Sequence, residues 1–241
     1  SRGLGDVYKR QLLRHDFNKF FKIKNVRKET MYFRITIPAF QEDKKDEAIS
    51  YVKEKVMPEF SGTPGLLSLT AAITGDTSGV NMAAWENKEA SEAAAEKIQS
   101  ALAEAASLMS APPVIYEGEA VFGKMYQTIA VGETKPSYMR IVVGVAEDTD
   151  AVLNFLKEKV EPIYEESDGL QLTGAIFDGN SAISWNFWDS QEDMDKAVEK
   201  LQTALDSESE SDLFDGSTIA YMGPVYAFTS SIDFNEGESP N

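Results

Sequence analysis

Lys53-Glu54-Lys55-Val56, with Pro58 just beyond it, occurs twice in this chain: it returns as Lys157-Glu158-Lys159-Val160, followed by Pro162. Each copy runs on to a Gly-Leu pair, Gly65-Leu66 and Gly169-Leu170. Position 53 thus maps to position 157, an offset of 104 residues. Further on, Trp85 answers to Trp188 and Ala101-Leu102 to Ala204-Leu205, and then Tyr116 and Gly118 to Tyr221 and Gly223. Order and spacing hold over roughly ninety residues, so the chain reads as a tandem duplication of one domain-sized unit.

Composition narrows the chemistry more than it names it. At 241 residues each repeat can bury a core of its own. The absence of cysteine excludes disulfides, thiolate nucleophiles and Cys-based zinc sites. His15 is the only histidine and lies outside both repeats, which removes a His-based triad, a facial-triad iron site and a proximal-His haem from them. The formal charge is −17, unevenly spread: residues 1–30 carry nine Lys/Arg and three Asp/Glu, leaving −23 for the remainder. So acidic a body repels nucleic acid, whose binding rests on phosphate contacts. No apolar run approaches the roughly 18 residues of a membrane span.

Taken in order, the chain spells one pattern twice. Residues 1–11 begin without methionine and read as adaptor-derived sequence, and 12–29 as a basic, poorly ordered leader, so 1–30 are set aside from the fold. Repeat one is placed at 31–122. Phe33, Ile35 and Ile37 alternate with Tyr32, Arg34 and Thr36 as in a strand, which Pro38 breaks. Ala48, Ile49, Val52, Val56 and Phe60 recur at helical steps over 45–60. Two strand-like runs, 66–74 and 79–85, flank a hairpin tip at Gly75-Asp76-Thr77-Ser78. Asn87 caps a second, Ala-rich helix reaching about 109. Pro112-Pro113 stops it, and 114–122 is a strand. Residues 123–137 form a linker. Repeat two, 138–228, gives strand 138–145, helix 150–166, strands 170–177 and 181–188, helix 190–206 and strand 217–228, with a loop at 206–212. Residues 229–241 read as a disordered tail.

The order β-α-β-β-α-β is the ferredoxin-like motif, a four-stranded antiparallel sheet with both helices on one face. The strands are apolar on more than alternate positions, so a single sheet would leave apolar surface in water. The expected fold is α+β: two tandem ferredoxin-like repeats packed sheet to sheet as a pseudo-dimeric α/β barrel. Here the sequence resembles the dimeric α/β-barrel superfamily, and within it the antibiotic-biosynthesis-monooxygenase-like domains. The resemblance rests on Pro64-Gly65-Leu66 and on strand three running into Trp85-Glu86-Asn87-Lys88-Glu89-Ala90, with Phe187-Trp188-Asp189-Ser190-Gln191-Glu192 in the second copy. It covers about 31–122 and 138–228. Relatives of this kind include cofactor-independent oxygenases acting on polycyclic phenols, haem-degrading enzymes, isomerases and small stress proteins. The absence of histidine from both halves speaks against the haem-binding branches.

The candidate site residues follow from the strand faces. If Phe33, Ile35 and Ile37 face the helices, then Tyr32 and Arg34, and equally Tyr138 and Arg140, point between the sheets. An arginine there needs a carboxylate or an anionic ligand. It reads either as a fork for a carboxylate or phenolate, or as a member of an internal ion pair. Trp85 and Trp188 stand where strand three meets helix two, as core or as a ligand wall. Trp185 and Asn186 replace Met82 and Ala83 of repeat one, an asymmetry expected where one pocket is kept and the other filled. A Trp wall beside an amide could orient a flat aromatic ligand. Arg140, Trp185 and Asn186 are therefore the catalytic candidates, and Arg34, Tyr32, Tyr138, Trp85 and Trp188 the ligand-binding ones. No metal and no cofactor is expected. Residues 206–215 lack the glycine and glutamate spacing of a calcium loop, and no P-loop, dinucleotide fingerprint or HExxH is present.

The resemblance implies a small-molecule enzyme in which a phenolate or enolate substrate itself reacts with oxygen. The expected partner is a hydrophobic ligand in an interior barrel pocket, with no nucleic acid and no membrane span, in a monomeric pseudo-dimer. The rival readings are a carrier for a hydrophobic ligand and an interaction protein with filled pockets. The compartment is not legible.

Overall fold

Period-2 apolar patterning, the hairpin turns and two amphipathic helical stretches per half organise the chain as the sequence suggests, and the strands close into a barrel as expected. The computed structural model describes residues 31–126, 137–207, 213–216 and 218–231. The N-terminal half runs β1 (Tyr32–Phe40), α1 (Lys45–Tyr51), α2 (Met57–Phe60), β2 (Leu66–Ile73), β3 (Gly79–Trp85), α3 (Lys88–Ala93), α4 (Ala95–Ala105) and β4 (Met109–Met125). The C-terminal half runs β5 (Tyr138–Val145), α5 (Thr149–Phe155), α6 (Glu161–Glu165), β6 (Leu170–Asp178), β7 (Ser181–Trp188), α7 (Gln191–Ser207) and β8 (Ile219–Ser230). The leader, positions 127–136 of the expected linker, positions 208–212 of the expected loop and the tail from 232 lie outside the described residues.

Eight antiparallel strands form a closed barrel in the order β4-β1-β3-β2-β8-β5-β7-β6 and back to β4. Within each half the order is fourth, first, third, second, as in a ferredoxin-like sheet. The halves do not simply stack face to face, as expected. They are hydrogen-bonded edge to edge, because β4 and β8 are each longer than one half requires. Glu119 and the residues before it in β4 pair with β1, and Ala120–Met125 with β6. In β8, Ile219–Pro224 pair with β5, and Val225–Ser230 with β2. So β4 runs into the expected linker and β8 to the first residues of the expected tail. Closure removes the unpaired edges that each sheet alone would present.

The strand faces are the reverse of those expected. Phe33, Ile35 and Ile37 project into the barrel, where they pack with Met139, Ile141, Val143, Trp185, Phe187 and Val225 from the other half. Tyr32 and Trp85 lie on the outer face, under the helices, with Phe60, Leu66, Leu69 and Ala94. Trp188 does the same in the second half with Val160, Tyr164, Met194 and Leu201. A register shift between Leu66 and Ser68 also parts Leu67, which enters the barrel, from Leu69, which stays under the helices.

The prolines act differently from a simple strand or helix break. Strand β1 continues through Pro38, where a register shift between Ile37 and Ala39 interrupts its ladder with β4. Strand β4 already begins at Met109, so Pro112-Pro113 sits in extended chain rather than ending the helix directly. Pro58 and Pro162 follow five-residue π-helical turns, Val52–Val56 and Leu156–Val160, which hold the repeated Lys-Glu-Lys-Val. A proline donates no hydrogen bond to the carbonyl four residues back and crowds it. Widening the turn there relieves Glu54 and Glu158.

Candidate functional site

Small side chains decide where space is left. Between the outer face of the N-terminal sheet and its helices lies a cavity of about 120 Å³. Ala83 of β3 forms part of its floor, and Ala48 and Ala101 of the helices part of its roof. Leu69, Val56, Phe60 and Ile98 make the walls largely apolar. Arg34, Thr36, Asn81 and Trp85 supply polar atoms from the sheet. The volume is comparable to the ~150 Å³ apolar cavity that admits benzene in an engineered protein core.

Two of these polar groups are unpaired. Arg34 Nη1 donates to the Glu117 carboxylate on the adjacent strand, so the charge of this arginine is balanced within the protein. Its Nε, however, is buried with no hydrogen-bond partner among the described residues, and so is Nε1 of Trp85. Buried N–H groups without acceptors cost free energy unless something supplies one. Tyr226 closes the cavity from β8 of the other half, with Lys53 Nζ 5.8 Å from its ring centre. Burial raises the Tyr226 phenol far above its ordinary value. Tyr51 joins helix to helix, its hydroxyl donating to the Ala101 carbonyl at 2.9 Å. Tyr51 and Leu108 also border an adjoining surface groove lined by Asp46, Glu47, Glu54 and Glu104.

In the matching region of the C-terminal half Asn186 takes the place of Ala83. Ala83 lies opposite Leu69 and Arg34, whereas Asn186 lies opposite Thr173 and Arg140. The Tyr164 hydroxyl donates to Asn186 Oδ1 at 3.0 Å, and Asn186 Nδ2 donates to Thr173 Oγ1 at 2.8 Å and to the Trp185 carbonyl at 2.9 Å. Tyr164 is fully enclosed, and desolvation raises its phenol, with Arg140 and the Asn186 bond acting against it. Asn186 is thus engaged at both ends of its amide.

The expected site residues therefore separate. Arg34 and Trp85 line the cavity. Tyr32 is buried beside Trp85, while Tyr138 and Trp188 pack under the C-terminal helices. Trp188 meets Tyr164 edge to face at 6.1 Å between ring centres. Arg140 and Asn186 share the outer face of the second half, but Trp185 does not join them. Successive residues of a strand point to opposite faces, and the Trp185 ring lies inside the barrel, 4.4 Å between centres from Phe33. It fits there because Gly174 has no Cβ, which would collide with the ring. The expected Trp wall beside the amide is thus not formed, and the barrel interior is packed with side chains rather than holding the ligand pocket. Tyr226, Tyr51 and Glu117 were not foreseen. Glu117 was open to a register argument, since it lies directly opposite Arg34, whereas Tyr226 reaches the cavity only because β8 crosses to β2. Among the described residues no cluster of three His, Cys, Asp or Glu could hold a metal, and no helix is long and apolar enough to cross a membrane.

No family model and no curated protein matches this sequence. Solved structures do share its architecture. A presumed monooxygenase of Fusobacterium nucleatum aligns with a TM-score of 0.70 at 10% identity, covering 85% of this chain and 96% of its own. A presumed monooxygenase of Lactobacillus acidophilus gives 0.62 at 15% identity, covering 84% and 97%. An anthrone oxidase-like protein gives 0.63 at 14% identity, covering 85% and 94%. The likeness is one of fold, a closed eight-stranded antiparallel barrel with helices packed on its outer face. At such identities activity does not transfer with architecture.

Proposed function

We propose that this chain is a small-molecule enzyme of the monooxygenase-like type, acting on a hydrophobic, phenolic ring held in the N-terminal cavity. The observation that carries the reading is the pair of unpaired buried donors, Arg34 Nε and Trp85 Nε1, on residues lining an otherwise apolar cavity of single-ring size. A phenolate or ketone oxygen would accept from both. The apolar walls would strip water from the substrate, and the arginine would steady charge developing on its oxygen. In the reaction type proposed, the phenol reacts as its keto tautomer, whose ring CH2 and O2 become a second ring C=O and water, the substrate supplying all the electrons. The presumed monooxygenases and the anthrone oxidase-like protein of the same fold support this class. The accompanying domain reading is two copies of one unit, 31–122 and 138–228, supported by the matched strand order.

A second reading, a carrier for the same kind of ligand, draws on one observation: no carboxylate or histidine lines the cavity to serve as base. Oxygen uptake decides between them. The full chain is screened by thermal shift against single-ring phenols, with naphthols and anthrone as ligands too large for the cavity, and each hit is followed in an oxygen electrode. Binding with uptake supports the enzyme, and binding without uptake leaves the carrier. Trp85→Phe removes one donor and should weaken a hit about fivefold, the worth of roughly 1 kcal/mol of hydrogen bond. Undiminished binding by Trp85→Phe and Arg34→Met would remove the cavity from the account.

A further inference from the structure

Arg34 and Arg140 occupy matching places in β1 and β5, but their neighbours on the next strand differ. Glu117 of β4 lies directly opposite Arg34, and Met222 of β8 directly opposite Arg140. Directly opposed residues project to the same face of a sheet. In the first half the carboxylate therefore takes the guanidinium. In the second half a thioether stands in its place, and a thioether is only a weak acceptor. Arg140 forms no ion pair with any described residue, and its Nε is buried without a partner. Its neighbour on the other side, Asn186, is committed to Tyr164, Thr173 and the Trp185 carbonyl. Desolvation lowers the Arg140 guanidinium from its ordinary value, with Tyr164 acting against that, yet an arginine remains charged at neutral pH.

The fork is also reachable. Arg140 is only partly buried, and Met222 beside it is 38% exposed. We propose that Arg140 is the centre of an anion site in the C-terminal half that takes a small carboxylate, seated where Glu117 reaches in the N-terminal half. The two carboxylate oxygens match the spacing of guanidinium donors, which favours carboxylates over spherical anions such as chloride. A chain of net charge −17 gives no long-range attraction, so recognition rests on the fork itself. The site is independent of the cavity, and its test uses an anion too small to fill that cavity.

The arginine Nε–Hε signals of the full-length 15N-labelled chain are followed by NMR while sodium acetate replaces sodium chloride at constant ionic strength. One signal should move saturably with acetate and not with chloride, and the response should vanish in Arg140→Met. Met222→Glu copies the first half. It should place the signal at its shifted position from the start and weaken acetate at least about tenfold. Glu117→Met should make a second arginine signal respond. A flat titration, a response that survives Arg140→Met, or unchanged affinity in Met222→Glu would overturn the assignment. Should Arg140→Met not fold, Met222→Glu retains the arginine and decides alone.

Discussion

Ala83 and Asn186 hold the same register position opposite an arginine, but Ala83 borders the cavity of the first half while Asn186 is taken up by side-chain hydrogen bonds in the second. Around Asn186 the sequence supplies Thr173 and Tyr164, which complete its hydrogen bonds. Around Ala83 it supplies Leu69 and Phe60, which cannot. Filling the first half should therefore be tolerated. Ala83→Leu is expected to abolish binding of any aromatic hit while changing stability by less than about 1.5 kcal/mol, since the added methylenes enter existing space. Thermal shifts with and without ligand check both halves of that statement. The buried phenols make a second prediction. Desolvation is the chief cause of the raised values at Tyr126, Tyr164 and Tyr226. Each keeps its proton when folded, whereas the unfolded chain loses it near pH 10. Stability should thus be level through neutral pH and fall as pH rises above about 10, by up to ~1.4 kcal/mol per pH unit for each such tyrosine. Urea midpoints from pH 8 to 11 measure it, and Tyr226→Phe should blunt the fall.

Among the elements, helix ends were readable and strand faces were not. The Asn87 cap expected from sequence accepts a hydrogen bond from Ala90 N at 2.9 Å. In the second half Asp148 plays that part, accepting from Asp150 N at 2.8 Å and Ala151 N at 3.3 Å. Asp148→Ala should cost about 1 kcal/mol, a fall of roughly 2–4 °C in Tm for a chain of this size. Caps are legible because one residue's chemistry meets backbone a few positions away. The strand faces failed for the opposite reason. Ile35 and Leu69 are both apolar, yet one faces the barrel and the other the helices. With both faces of every sheet covered, alternation no longer marks which is which. Trp185 and Asn186, by contrast, could not share one site whichever face was which, since successive strand residues point to opposite faces. What the sequence did carry at that place was the asymmetry itself, Met82-Ala83 against Trp185-Asn186.

Taken whole, the molecule is two sheets that share their longest strands. Lys124, near the end of β4, reaches Glu161 and Glu165 of α6 in the other half, the second at 2.7 Å. The barrel core mixes Phe33, Ile35 and Ile37 with Met139, Ile141 and Trp185. A fragment of residues 31–126 would expose that apolar face together with the free edge of β2. It should self-associate, and size-exclusion chromatography with light scattering would show a dimer or larger species. A well-folded monomer of that fragment would contradict the shared core. Edge joining lay beyond the sequence reading because it depends on pairings such as Leu69 with Thr229, set by the length of β8 and not by local pattern.

Tyr226, which walls the cavity of the N-terminal half, belongs to β8, and the hydroxyl of Ser231 just past that strand donates to the Leu66 carbonyl 165 positions earlier. A chain emerging from the ribosome can form each hairpin and helix as it appears. It cannot close the cavity of its N-terminal half until β8 is out. Pairings this distant in sequence make folding slow. A chain stopped short of β8 would carry every residue of the N-terminal half and still lack the wall that closes its cavity.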